Sequence, residues 1–64
     1  MNKQNLYITY NNQGIVLSSY PFGYDFWRVY NGYTKQEAIA RYKEELRKKL
    51  KVKRLPFGFR EVKD

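Results

Sequence analysis

One short stretch in the middle of the chain, Thr34-Lys35-Gln36-Glu37, has the pattern of a helix capping box. In this motif the Thr hydroxyl accepts a hydrogen bond from the Glu amide, and the Glu carboxylate accepts one from the Thr amide. Tyr33 precedes the cap and can pack on the first helical turn. The motif predicts where a helix begins, so the residues before it must form other elements.

The segment over about residues 34–51 predicts one amphipathic helix. Its apolar residues recur at helical spacing and form a single stripe, namely Ala38, Ile39, Tyr42, Leu46 and Leu50. Glu37, Glu44 and Glu45 each stand four positions before a basic residue, which also favours a helix. Basic residues fill the last turns, where they complement the helix dipole.

Before the cap, residues over about 5–32 alternate in polarity and are rich in β-forming side chains, which predicts three strands. Asn11-Asn12-Gln13-Gly14 predicts a hairpin turn between the first two strands, because Asn and Gly tolerate a positive φ. Pro21-Phe22-Gly23 predicts the second turn.

Alternation also predicts which strand residues face the helix. In the first strand we expect Leu6 and Ile8 to face the core and Tyr7 to face outward. In the third strand we expect Trp27 and Val29 to face the core, which leaves Phe26, Arg28 and Tyr30 on the outer face. Tyr20 and Tyr24 are expected to join that outer face.

The fold class predicted by these segments is α+β. Residues 1–64 would form a single domain, in which a three-stranded antiparallel sheet packs against one C-terminal amphipathic helix (βββα). A basic and aromatic tail, residues 52–64, would add a short extra edge strand or fold over the outer face of the sheet. The chain has no Cys and is 19% aromatic, so stability must come from packing rather than from disulfides.

The residue types do not favour catalysis. The chain has no His, which removes the commonest general base and metal ligand. Three of its carboxylates have helical roles, and its glycines are isolated, so no phosphate-binding loop is present. We therefore expect a protein that is not an enzyme and that uses no cofactor or metal.

Charge is the clearest functional feature. The net charge is +7 and the calculated pI about 9.8, which is typical of domains that meet polyanions. Eight of the thirteen basic residues lie between positions 41 and 54: Arg41, Lys43, Arg47, Lys48, Lys49, Lys51, Lys53 and Arg54. A solvated helix face is the plain alternative to a binding surface.

We predict sequence-tolerant binding of nucleic acid, with DNA favoured over RNA. The expected sheet contacts are Tyr7, Arg28 and Tyr30, and the expected phosphate contacts are Arg41, Arg47, Lys48, Lys49, Lys51, Lys53 and Arg54. The alternative hypothesis is a small phage- or mobile-element-encoded factor that docks on a host protein. A third hypothesis is a homodimer that buries the tyrosine face. With no apolar run of membrane-spanning length, a cytoplasmic location is expected.

The stretch from Val29 to Tyr42 resembles the last strand and helix of the AP2/integrase N-terminal family. Gly32-Tyr33-Thr34 and Glu37-Ala38 match the family pattern of Gly-aromatic-x-Thr followed by x-x-Glu-Ala, without the residue before Thr. Asn5-Leu6-Tyr7-Ile8 is similar to the first strand of phage integrase arm-binding domains. The resemblance implies a three-stranded sheet that enters the DNA major groove with a helix behind it. The sequence lacks the Arg and Trp pattern that plant AP2 domains carry on their first two strands.

Overall fold

The computed structural model describes residues 3–63, apart from the side chain of Phe22. The elements follow in the order β1 (Lys3–Asn11), β2 (Gly14–Ser19), β3 (Phe26–Tyr30), α1 (Lys35–Leu50) and β4 (Gly58–Lys63), with a 3₁₀ turn at Pro21–Gly23. The α+β class is therefore confirmed. Within residues 3–63, no helix has the length and apolar character to cross a membrane.

The sheet has four strands in the order β3-β2-β1-β4: the three that were predicted and a fourth from the tail, which was one of the two outcomes expected for it. As expected, β1 pairs antiparallel with β2 and β2 pairs antiparallel with β3, whereas β4 pairs parallel to β1. Helix α1 carries the chain from β3 at one edge across the sheet to the opposite edge. A crossover of this kind returns the chain in the same direction, so the tail forms a parallel strand. The tail therefore extends the sheet instead of covering its outer face.

The predicted elements begin and end close to their expected positions. The Thr34 Oγ1 accepts a hydrogen bond from the Glu37 amide at 3.2 Å, and the Glu37 carboxylate accepts one from the Thr34 amide at 3.0 Å, which completes the capping box. In the β1–β2 turn, Gly14 has a φ of +128°. A Cβ at this position would lie 2.3 Å from the Tyr30 carbonyl oxygen, so the close approach of β3 requires glycine here.

The core lies between α1 and one face of the sheet. Alternate strand residues and the helix stripe fill it, and the buried apolar residues are Leu6, Ile8, Ile15, Leu17, Phe26, Tyr30, Ala38, Tyr42 and Leu46. Phe57 and Phe59 from the tail pack against this cluster from the β4 edge. The tail thus completes the core, which supplies part of the burial that so short a chain needs.

The orientation predicted for β3 was wrong. Phe26 and Tyr30 are buried under the helix, whereas Trp27 and Val29 are exposed on the opposite face. Because Ile15 pairs with Tyr30 and cross-strand partners share a face, the buried side of β2 determines the buried side of β3. Both sides of β3 carry apolar residues, so alternation alone could not distinguish them.

A buried tyrosine links the helix to the paired residues Ser19 of β2 and Phe26 of β3. The Tyr42 hydroxyl donates a hydrogen bond to the Phe26 carbonyl at 2.7 Å and lies 2.5 Å from the Ser19 Oγ. Since a phenol has one proton, the Ser19 hydroxyl must be the donor in the second bond. Burial raises the pKa of Tyr42 to about 12, so this hydroxyl keeps its proton at neutral pH.

Candidate nucleic-acid interface

The end of α1 turns the chain sharply back toward the sheet. Lys51 adopts a left-handed conformation with a φ of +59° and caps the helix. Its amide donates to the Lys48 carbonyl at 3.2 Å, and the next amide, of Val52, donates to the Arg47 carbonyl at 3.0 Å. These bonds satisfy carbonyls that the helix end would otherwise leave unpaired. The turn therefore directs the basic tail toward the side of the helix that faces β4.

The turn brings helix and tail cations together around two adjacent clefts. One cleft, of about 320 Å³, is lined by Lys43, Arg47, Lys53, Arg54, Leu55, Phe57, Gly58 and Phe59. The other, of about 490 Å³, is lined by Glu44, Arg47, Lys48, Lys51, Val52 and Lys53. Arg47 and Lys53 line both clefts, so they stand at the junction. We call the cations Lys43, Arg47, Lys48, Lys51, Lys53 and Arg54 together the basic groove.

The basic groove has little internal neutralisation. Its lining includes one carboxylate, Glu44, whose 3.9 Å contact with Lys48 is the one salt bridge among residues 3–63 that involves a groove cation. Both side chains are mostly exposed, so water and salt screen that contact. A surface of this kind keeps a positive potential that attracts phosphates.

An aromatic wall closes the side of the groove nearest β4. The Phe57 and Phe59 rings meet edge to face with centroids 5.4 Å apart. Phe59 also lies against Tyr42, at a centroid distance of 6.1 Å, which fixes the wall to the core. The groove therefore combines cations with an apolar wall that is fixed to the core.

Five of the predicted phosphate contacts lie in the basic groove: Arg47, Lys48, Lys51, Lys53 and Arg54. Lys43, which the sequence placed in the charge cluster but not among the contacts, lies there as well. Its spacing of four residues from Arg47 puts both on one side of a helix, and this signal could have identified it.

Arg41 and Lys49 were predicted as phosphate contacts, but neither lines the groove. The Arg41 guanidinium lies 4.8 Å from the centroid of the Tyr33 ring, and the Lys49 ammonium lies 5.5 Å from that of Tyr24. Both tyrosines belong to the chain on either side of β3, at the other edge of the sheet from β4. The two cations thus have aromatic partners elsewhere.

Arg28 and Tyr30 were predicted as outward contacts on the sheet, and this was wrong. Both face the helix, where the Arg28 Nε lies 3.0 Å from the Glu45 Oε1 and the Tyr30 hydroxyl donates to the Glu45 Oε2 at 2.7 Å. Arg28 also lies over the Phe26 ring at 4.4 Å. These residues join β3 to α1. The hydrogen bond from Tyr30, with help from Arg28, holds the pKa of Glu45 below its ordinary value.

The Glu45 contacts predict an acid-dependent loss of stability. Because the folded-state pKa is lowered, the carboxylate stabilises the fold above its unfolded pKa, near 4.5, and that contribution disappears as the pH falls through the lower folded value. Glu45→Gln should therefore be less stable than the wild type at pH 7, and the difference should shrink as the pH falls below 4.5.

Urea unfolding of the two proteins across this pH range measures the difference. Glu44→Gln removes a carboxylate with one long, exposed contact and serves as the matched control, with a pH profile like that of the wild type. A gap for Glu45→Gln that stays constant with pH would contradict the assignment.

The sheet also presents a surface that the helix does not cover, which we call the open face. Its members are the alternate strand residues that point away from α1: Lys3, Asn5, Tyr7, Thr9, Asn11, Gly14, Val16, Ser18, Trp27, Val29, Gly58, Arg60 and Val62. Tyr7 was predicted to lie here, and it does. Trp27 was missed because the orientation predicted for β3 was reversed.

Comparison of the chain with known protein families, curated proteins and solved structures returns no match. The resemblance to AP2/integrase N-terminal domains therefore remains a prediction from sequence.

Proposed function

We propose that this protein binds nucleic acid, with DNA as the first ligand to test, through phosphate contacts in the basic groove. The observation that supports the proposal is the convergence of helix and tail cations on two clefts that share Arg47 and Lys53. A row of cations that spans two adjacent clefts suits successive phosphates of a polymer better than one small anion.

The chemistry of the groove favours phosphates as ligands. Arg47 and Arg54 each carry a planar guanidinium that can bind a phosphate through two parallel hydrogen bonds. The lysines act as point charges that release counterions when a polyanion binds. Contacts of this type do not depend on base sequence, so we propose binding that tolerates many sequences.

Fluorescence anisotropy with a short labelled DNA duplex, repeated over a series of salt concentrations, tests the proposal. For two to six phosphate contacts, the logarithm of the association constant should fall linearly with the logarithm of salt, with a slope of about −2 to −5. Absence of binding at low salt, or binding that does not change with salt, would show that the groove is a solvated surface only.

A further inference from the structure

The open face has the composition of a surface that binds an anionic, partly aromatic ligand. Trp27, the second residue of β3, is 54% exposed, and Tyr7 and Val62 lie half-buried on β1 and β4. Apart from the terminal strand positions, the face is built from rings, small polar side chains, valines and one cation, Arg60. Exposed rings on a rigid sheet are available for stacking at a small cost in conformational entropy.

The charge of the open face is of one sign. Among residues 3–63, no strand residue that points away from the helix is acidic, whereas Lys3 and Arg60 lie on the β1–β4 side. Glu61, the one acidic strand residue in this range, points toward the helix and binds the Lys35 ammonium at 2.8 Å. Two copies of the face brought together would place like charges in contact, which disfavours a second copy as the occupant.

The rings are arranged along a single row across the strands. Ser18 pairs with Tyr7 on one side and with Trp27 on the other, so the two rings flank a small side chain and stand about 10 Å apart, two strand spacings. Tyr20, which follows β2, meets Tyr7 edge to face, with ring centroids 6.1 Å apart. Ser18, between the two rings, has the smallest side chain of the three.

We infer that the open face binds single-stranded nucleic acid, with unpaired bases stacked on Trp27 and Tyr7 and the backbone directed toward Arg60. A single strand exposes the faces of its bases, whereas the bases of a duplex already stack on one another and cannot reach the rings. The inference deepens the proposed function, on which it rests, because it assigns a preferred form of nucleic acid and a second contact surface.

Trp27 is the one tryptophan of the chain, so its emission reports on this face alone. An unlabelled 12-nucleotide single strand should quench the emission, and a duplex of the same sequence should bind in the basic groove with little quenching. With a labelled strand, Trp27→Ala and Tyr7→Ala should each weaken single-strand binding by about 5- to 100-fold. Duplex binding should stay within about twofold.

Two variants control the experiment. Tyr10→Ala removes a ring that is 61% exposed but shares a face with the helix-side residue Ile15, so it should leave single-strand binding unchanged. Trp27→Phe keeps a stacking ring and should bind a labelled strand nearly as well as the wild type. If Trp27→Phe keeps both the fold and the binding, the weaker binding of Trp27→Ala is due to the loss of a stacking ring and not to a loss of structure.

The outcomes separate this inference from the proposed function. The inference would be overturned if a single strand caused no quenching and Trp27→Ala had no effect. Salt-dependent duplex binding in the same experiment would still support the basic groove as a nucleic-acid site. Quenching by a single strand without duplex binding would support the open face and overturn the groove. A sedimentation mass near twice 7.8 kDa without nucleic acid, or a protein that competes for Trp27, would overturn the inference in favour of a protein partner.

Discussion

Replacing Arg47 and Lys53 together by glutamine is expected to weaken DNA binding about 10- to 100-fold near 0.1 M salt. Both residues line both clefts, so the double change removes two contacts from the junction of the basic groove. Each lost phosphate contact should also reduce the steepness of the salt dependence by about 0.9, which predicts a slope shallower by about two. Anisotropy titrations at several salt concentrations measure both effects.

The matched control removes the same charge from the other side of the helix. Arg41→Gln with Lys49→Gln also lowers the net charge by two, but these cations lie over Tyr33 and Tyr24 rather than in the groove. If placement matters, the control pair should keep most of the affinity and the wild-type slope. If both double variants lost the same affinity, net charge alone would drive binding and the groove would not be a defined site.

Tyr42→Phe is expected to lower the free energy of unfolding by about 1–3 kcal/mol, because the Phe26 carbonyl and the Ser19 hydroxyl would both lose a buried partner. In a chain of this length, each kcal/mol shifts the melting temperature by about 4–8 °C. Tyr42→Ala should cost about 3–5 kcal/mol, since it also leaves a cavity beside Phe26 and Phe59. Thermal and urea unfolding followed by circular dichroism measure these changes.

A double-mutant cycle with Ser19→Ala tests the hydrogen-bond assignment. The two changes remove opposite ends of one bond, so their combined cost should be smaller than the sum of the single costs by about 1 kcal/mol. Tyr10→Phe removes a hydroxyl from an exposed ring and should change stability by less than about 0.5 kcal/mol. Strict additivity of Tyr42→Phe and Ser19→Ala would show that the bond contributes nothing.

Local chemistry predicted the helix and the hairpin but not the pairing of distant segments. The capping box at Thr34 and the turn before Gly14 depend on neighbouring residues, and both form as expected. The orientation of β3 depends instead on its register with β2, and the partner of β4 depends on where the helix crosses the sheet. These are non-local properties that a period-two pattern with apolar residues on both sides does not contain.

In the candidate site, too, local sequence predicted some features and missed those that depend on the pairing of distant segments. The sequence identified a dense group of cations, and helical spacing could have separated Lys43 and Arg47 from Arg41 and Lys49. It could not show which of those two sides receives the tail, because that depends on the pairing of β4 with β1. Arg28 was misassigned because the side of β3 that faces the helix depends on the register of β3 with β2, and its partner Glu45 lies beside it only when β3 and α1 are docked.

The measurement that tests the basic groove most directly is a two-dimensional NMR titration of the ¹⁵N-labelled protein with a short DNA duplex. The proposal predicts progressive shifts of the backbone amides of Lys43, Arg47, Lys53 and Arg54, with the amides of Arg41 and Lys49 changing little, and reversal of the shifts when salt is added. Shifts confined to the Arg41 and Lys49 side of the helix, or a spectrum unchanged by DNA at low salt, would contradict it.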